Sequence, residues 1–176
     1  PRSGIGSYTD TLPGTRTQYD ALDRVTRVDQ DSELGQLTTT TEYLPGFQTR
    51  VTNPRLKQTT AAYLVYDHPA VDQPLSITHP EGAFTDIARD VFGKPLSITR
   101  RNAAGTVALT RRYVYDTYHQ LCKTIEPETG ATVLDYDGAD NPVWSATGLS
   151  LPSLTDCNRL EAQNSGRQVQ RSYDAR

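Results

Sequence analysis

Apolar and polar residues alternate along most of this chain with the period of two that a half-buried β-strand imposes. Val25, Arg27 and Asp29 fall on one side of such a stretch, and Thr26 and Val28 on the other. Leu75-Ser76-Ile77-Thr78 and Leu96-Ser97-Ile98-Thr99 are the same tetrapeptide. Residues 38–43 and 111–115 are rich in the β-branched and aromatic side chains that fit a pleated surface. The one helical candidate, residues 156–163, is short and follows Pro152 and Ser153. The pattern predicts an all-β chain of short strands joined by hairpins.

The strands recur in phase. Tyr-Asp pairs stand at Tyr19-Asp20, Tyr66-Asp67, Tyr115-Asp116, Tyr136-Asp137 and Tyr173-Asp174, and Tyr43-Leu44 and Arg89-Asp90 occupy the positions of degenerate copies. The spacing is about 23 residues, the size of one supersecondary unit that cannot bury its apolar face alone. Two marks punctuate each unit. Three residues after the Asp comes Asp23, Gly93, His119 or Asp140, all residue types that tolerate a positive φ. Asp20, Asp90, Asp116 and Asp137 are therefore expected to open tight turns by accepting backbone N–H bonds. About 16 residues after the anchor comes a glycine, at Gly35, Gly82, Gly105 or Gly130, with Asn53-Pro54-Arg55-Leu56 in that place in the Tyr43 copy. The Tyr43 copy is expected to turn on Pro45-Gly46, and the Tyr66 copy through a longer turn over residues 68–73 with Asp72 near its closing slot. Each unit reads as two strands and two turns.

Composition supports a sheet with a wet face. Of 176 residues, 35% are apolar; there are ten tyrosines, three phenylalanines and no methionine. Tyrosine packs its ring while its hydroxyl reaches water or a carbonyl. The net charge of −3 gives no electrostatic reason to expect nucleic acid or an anionic membrane as a partner. Arg100-Arg101 and Arg111-Arg112 read as solvated strand ends. No segment has the apolar length of a membrane span. Cys122 and Cys157 lack the spacing of a zinc site. Both are expected as free thiols, Cys122 as a small buried group in a strand over residues 120–125, with a disulfide between them as the alternative that sequence leaves open.

No catalytic constellation stands out. His119 is accounted for by its turn slot, His79 precedes a turn, and His68 has no metal-ligand neighbour in sequence. Asp135, Asp137 and Asp140 could approach a calcium ion, but the turn already explains two of them. Trp144 fits packing inside the sheet, capping its edge, or stacking on a sugar. Residues 148–166 lengthen the last unit by about 14 residues and read as a loop projecting from the sheet.

The repeat resembles the YD repeats of the Rhs family, whose unit runs approximately Tyr-x-Tyr-Asp-x-x-Gly-Arg, an alternating strand, then Asp-x-x-Gly. Tyr113-Val114-Tyr115-Asp116 followed by residues 123–130, residues 136–143, and residues 172–176 carry the likeness. The resemblance implies hairpins wound into a spiralling, shell-like antiparallel sheet, as in bacterial Rhs polymorphic toxins, insecticidal toxin-complex subunits and animal teneurins. It implies a wall that sequesters a C-terminal toxin before delivery, often by a type VI secretion apparatus in bacterial competition. Catalysis and cofactors are not expected of it. Its implied partners are the remainder of a parent chain, the enclosed toxin and a secretion spike protein, and its implied location is the bacterial cytoplasm before export into a target cell. An alternative is a module that binds carbohydrate or a receptor. No Asp-Pro occurs, so the autoproteolytic segment that ends such shells is not expected here. Organisation is expected as a lead-in over 1–16, repeats over 17–147, an inserted loop over 148–167 and a further repeat opening at 168–176, all within a piece of a larger shell.

Overall fold

The computed structural model describes residues 13–65 and 69–174. Tyr66, Asp67 and His68, and with them one expected anchor, lie outside the described residues. The chain divides into two compact units, residues 1–62 and 63–176. Both are all-β hairpin meanders, as the alternation predicts.

In the first unit, β1 (Thr15–Tyr19), β2 (Val25–Ser32), β3 (Gly35–Leu44), β4 (Gln48–Thr52) and the start of β5 (Gln58–Val65) pair antiparallel in chain order. Polar pairs line one face. Arg27 Nε lies 2.8 Å from Asp29, whose carboxylate also accepts from Thr38 Oγ1 at 2.6 Å, and Arg50 lies 3.5 Å from Glu42. Arg27 and then Thr38 hold the Asp29 carboxyl below its ordinary pKa. Such pairs at a wet surface contribute little stability each, so backbone pairing and half-buried threonines hold this unit.

The second unit runs on through β6 (Pro69–Thr78), β7 (Phe84–Arg89), β8 (Pro95–Arg101), β9 (Ala108–Tyr115), β10 (Leu121–Glu126), β11 (Gly130–Tyr136), β12 (Pro142–Leu149) and β13 (Gln168–Gln170). From β6 onward, successive strands pair antiparallel. Asp72 lies within β6 rather than in a turn, because the strand extends through the segment where a long turn was expected. Arg111 and Arg112 sit inside β9, not at its end, with Arg111 2.9 Å from Glu126; Arg101 pairs with Asp86 at 2.7 Å and stacks on Phe84.

Burial concentrates in the second unit. Ala131, Val133, Trp144, Ala146, Leu149 and Ala162 form one apolar cluster, with Ile125, Val143 and Leu151 against it. Ala162 belongs to α1 (Arg159–Gln163), a single short helix between β12 and β13. The segment expected to project from the sheet instead folds back and lies on it. The small residues Ala131, Ala146 and Ala162 make room for that approach.

Candidate functional site: the repeated turns and a clasped face

The Asp turns are built alike. In each, one carboxylate oxygen accepts two backbone N–H bonds: Asp20 from Leu22 and Arg24, Asp90 from Phe92 and Lys94, Asp116 from Tyr118 and Gln120, and Asp137 from Ala139 and Asn141, all between 2.8 and 3.0 Å. The residue three later closes the turn in the left-handed region, with φ 57° at Asp23, 80° at Gly93, 60° at His119 and 63° at Asp140. A register shift accompanies each turn, so Tyr19 faces Val25, Arg89 faces Pro95, Tyr115 faces Leu121 and Tyr136 faces Pro142. Arg24 and its side-chain bond hold Asp20 below its ordinary pKa, and Asn141 does the same for Asp137.

Two of the four glycine marks are the same device. Gly82 N–H donates to His79 O and Gly105 N–H to Asn102 O, just as Asp23 N–H does to Asp20 O. Asn53 accepts from Arg55 and Lys57 as the aspartates do, and Leu56 closes that turn at φ 57° without glycine. Gly35 (φ 97°) and Gly130 (φ 81°) open strands after tighter hairpin turns. The expected turn on Pro45-Gly46 is present, with Gly46 and Phe47 both at positive φ.

Four of the anchor tyrosines pin neighbouring strands through their hydroxyls. The hydroxyl of Tyr43 donates to Val25 O, Tyr115 to Pro95 O, Tyr136 to Leu121 O and Tyr173 to Pro142 O, at 2.9 to 3.1 Å. Each acceptor is the first residue of the preceding strand or follows an Asp turn directly. Arg89, in an anchor position without a phenol, does the same work: its Nε donates to Pro74 O at 3.1 Å and its Nη1 to Gly93 O at 2.7 Å. The residue after the closing slot adds a cation over the next anchor ring, Arg24 over Tyr43 at 4.0 Å and Lys94 over Tyr115 at 5.3 Å. Burial raises the phenol pKa of Tyr115 and Tyr136.

The folded-back segment is fastened at three points to the second unit. Cys122 and Cys157 form a disulfide with a Cα–Cα separation of 5.4 Å, which corrects the expectation of free thiols. The sequence separation of 35 residues concealed a contact made by the return of the segment. Lys123 is fully buried, and its Nζ donates to Ser153 O at 2.7 Å and Asn158 Oδ1 at 2.5 Å. Neighbours in a regular strand face opposite ways. The register shift between Leu121 and Lys123 leaves Cys122 as an extra residue, so both side chains reach the same segment. Arg159 closes the third point, 2.9 Å from Asp116 and 3.0 Å from Asp135. Burial pushes the Asp116 pKa up, but Arg159 and the turn amides of Gln120 and Tyr118 outweigh it and leave the pKa lowered.

Sequence reasoning missed Lys123 and Arg159. A lysine at an inward position of a strand, one residue after an inward cysteine, was the available signal. Asp135 and Asp137 are engaged by Arg159 and by the turn. Among the described residues, no group of three or more His, Cys, Asp or Glu is placed to hold a metal ion. Trp144 packs inside the cluster with Nε1 donating to Gln168 Oε1 at 2.7 Å, so its ring face is not offered to a ligand. His79 Nε2 lies 3.0 Å from Thr85 Oγ1.

No protein-family model matches the chain, and no curated protein matches it. Among solved structures, it is similar to a chain in the crystal structure of TcdB2–TccC3–Cdc42, with a TM-score of 0.58 and 15% identity. The match covers 78% of this chain and 7% of that one. The likeness is one of fold.

Proposed function

We propose that this chain is a wall segment of an Rhs-type shell that sequesters a toxin, and that it belongs to a longer polypeptide. The observation that carries the reading is the repetition of equivalent Asp turns, each pinned by a tyrosine hydroxyl. The conspicuous Asp, Tyr and Gly residues are consumed in holding strands together, which is what a repeating wall requires. The fold likeness to a small part of the TcdB2–TccC3–Cdc42 structure supports it. In this reading the partners are the rest of the parent chain and an enclosed toxin domain, and the chain works in the bacterial cytoplasm and then after delivery, without catalysis of its own. Electron microscopy of the parent polypeptide tests it: a β-walled hollow particle is expected, and a separate solid domain over these residues contradicts it.

One observation favours a second reading, a glycan- or receptor-binding surface. Phe92 and Tyr118 stand exposed at the tips of Asp turns, with Phe92 edge-on to His119 at 4.6 Å between ring centroids. Glycan-array binding lost in Tyr118→Ala supports that reading; no saturable binding removes it.

A further inference from the structure

The clasp places a buried amine against a side-chain amide, and the amide against a carboxylate. Lys123 Nζ, on a fully buried side chain, has two neutral oxygens as hydrogen-bond acceptors, Ser153 O and Asn158 Oδ1. The Asn158 amide is held from its other end too, its Nδ2 donating to Glu161 Oε1 at 3.3 Å. The backbone at Asn158 is fixed in the left-handed region (φ 54°), between the disulfide of Cys157 and the ion pairs of Arg159. Fixing reactants in contact removes the entropic part of a bimolecular barrier. Burial lowers the Lys123 pKa, with Asp156 and Glu161 opposing it, and this raises the share of neutral, nucleophilic amine.

We propose that Lys123 and Asn158 are a self-modifying pair that closes an intramolecular isopeptide bond. The Lys123 Nζ lone pair adds to Asn158 Cγ. The Glu161 carboxylate takes a proton from Nζ and returns it to Nδ2. The Cγ–Nδ2 bond breaks and ammonia leaves. One amine and one primary amide become one secondary amide and ammonia, with no oxidant or cofactor. The bond ties β10 to the segment before α1 beside the disulfide, so the segment stays fastened when the cysteines are reduced.

Intact mass spectrometry of the purified full chain, reduced with a phosphine after folding, reads the reaction directly. The expected mass is that of the sequence less one ammonia, with a branched peptide joining Lys123 to Asn158 in the digest. Titration of the same preparation before reduction should find no free thiol, showing that the clasp had formed. A chain with its disulfide formed and its full complement of ammonia overturns the proposal. So does an ammonia loss that persists in Lys123→Arg, since that is ring closure of Asn158 onto its own backbone. Glu161→Gln changes an exposed side chain and keeps both reacting groups; its cross-linking should be at least about a hundredfold slower, the lower end of the range for a lost proton-transfer group. An unchanged rate overturns the role given to Glu161.

Discussion

At the residue scale, one side chain often satisfies several backbone groups, and the cost of losing it should follow that number. Tyr136→Phe removes the phenol donor from Leu121 O and nothing else. It should lower unfolding free energy by about 1 kcal/mol, the usual size of one hydrogen bond, read from the urea midpoint. Asp116→Ala removes two turn bonds and the Arg159 pair together, and about 2–3 kcal/mol is expected. The sign of its pH dependence follows from the lowered pKa. A carboxyl whose folded pKa is depressed contributes stability above its unfolded value, about 3.9, and loses that contribution as pH falls through the lower folded value. Acid unfolding below about pH 4 should therefore be shallower in Asp116→Asn than in the native chain. Equal slopes in urea titrations across that range contradict the assignment.

At the element scale, equivalent turns differ in what surrounds them. A Cβ on Gly130 would meet Leu149 O at 2.7 Å, while one on Gly82 meets nothing within 4 Å, and both have positive φ. Gly82→Ala should cost about 1 kcal/mol of backbone strain. Gly130→Ala should cost clearly more, because β12 must also shift; equal urea midpoints for the two contradict this. The turn slots at Asp23, Gly93, His119 and Asp140 were legible in sequence because the chemistry of a tight turn is local. The alternation likewise located strands, though β3 and β9 each begin three residues before the stretches read as strand and β6 runs through an expected turn. The clasp was not legible. It depends on a bulge at Cys122 that turns two neighbouring side chains the same way, and on a chain return through α1, and neither leaves a periodic trace. Arg89 was legible as a degenerate anchor but not as a donor replacing the phenol. The disulfide closes a separation of 35 residues, for which the loop-entropy relation gives about 4 kcal/mol. In a Lys123→Arg background, where no second cross-link closes the same loop, Cys122→Ser with Cys157→Ser should lower stability by an amount of that order. The two serine substitutions alone should open residues 150–158 to limited proteolysis, unless the Lys123–Asn158 bond holds the segment, in which case adding Lys123→Arg exposes it.

At the scale of the whole molecule, the repeat spends its distinctive residues on scaffolding. Aspartates close turns, tyrosines pin hairpin ends, and the buried cluster serves to seat the returning segment. A wall built this way draws its strength from strand-to-strand continuity rather than from a thick core, which fits the sparse burial among the described residues of the first unit. The fold likeness covers 7% of a much longer chain, and the proposed containment belongs to a larger assembly. Cryo-electron microscopy of the parent polypeptide tests that most directly. The account predicts the Asp turns as a row along a continuous β wall around a lumen, with residues 150–165 seated on the wall over β10–β12. A map in which these residues form a separate compact body, with no lumen beside them, would contradict it.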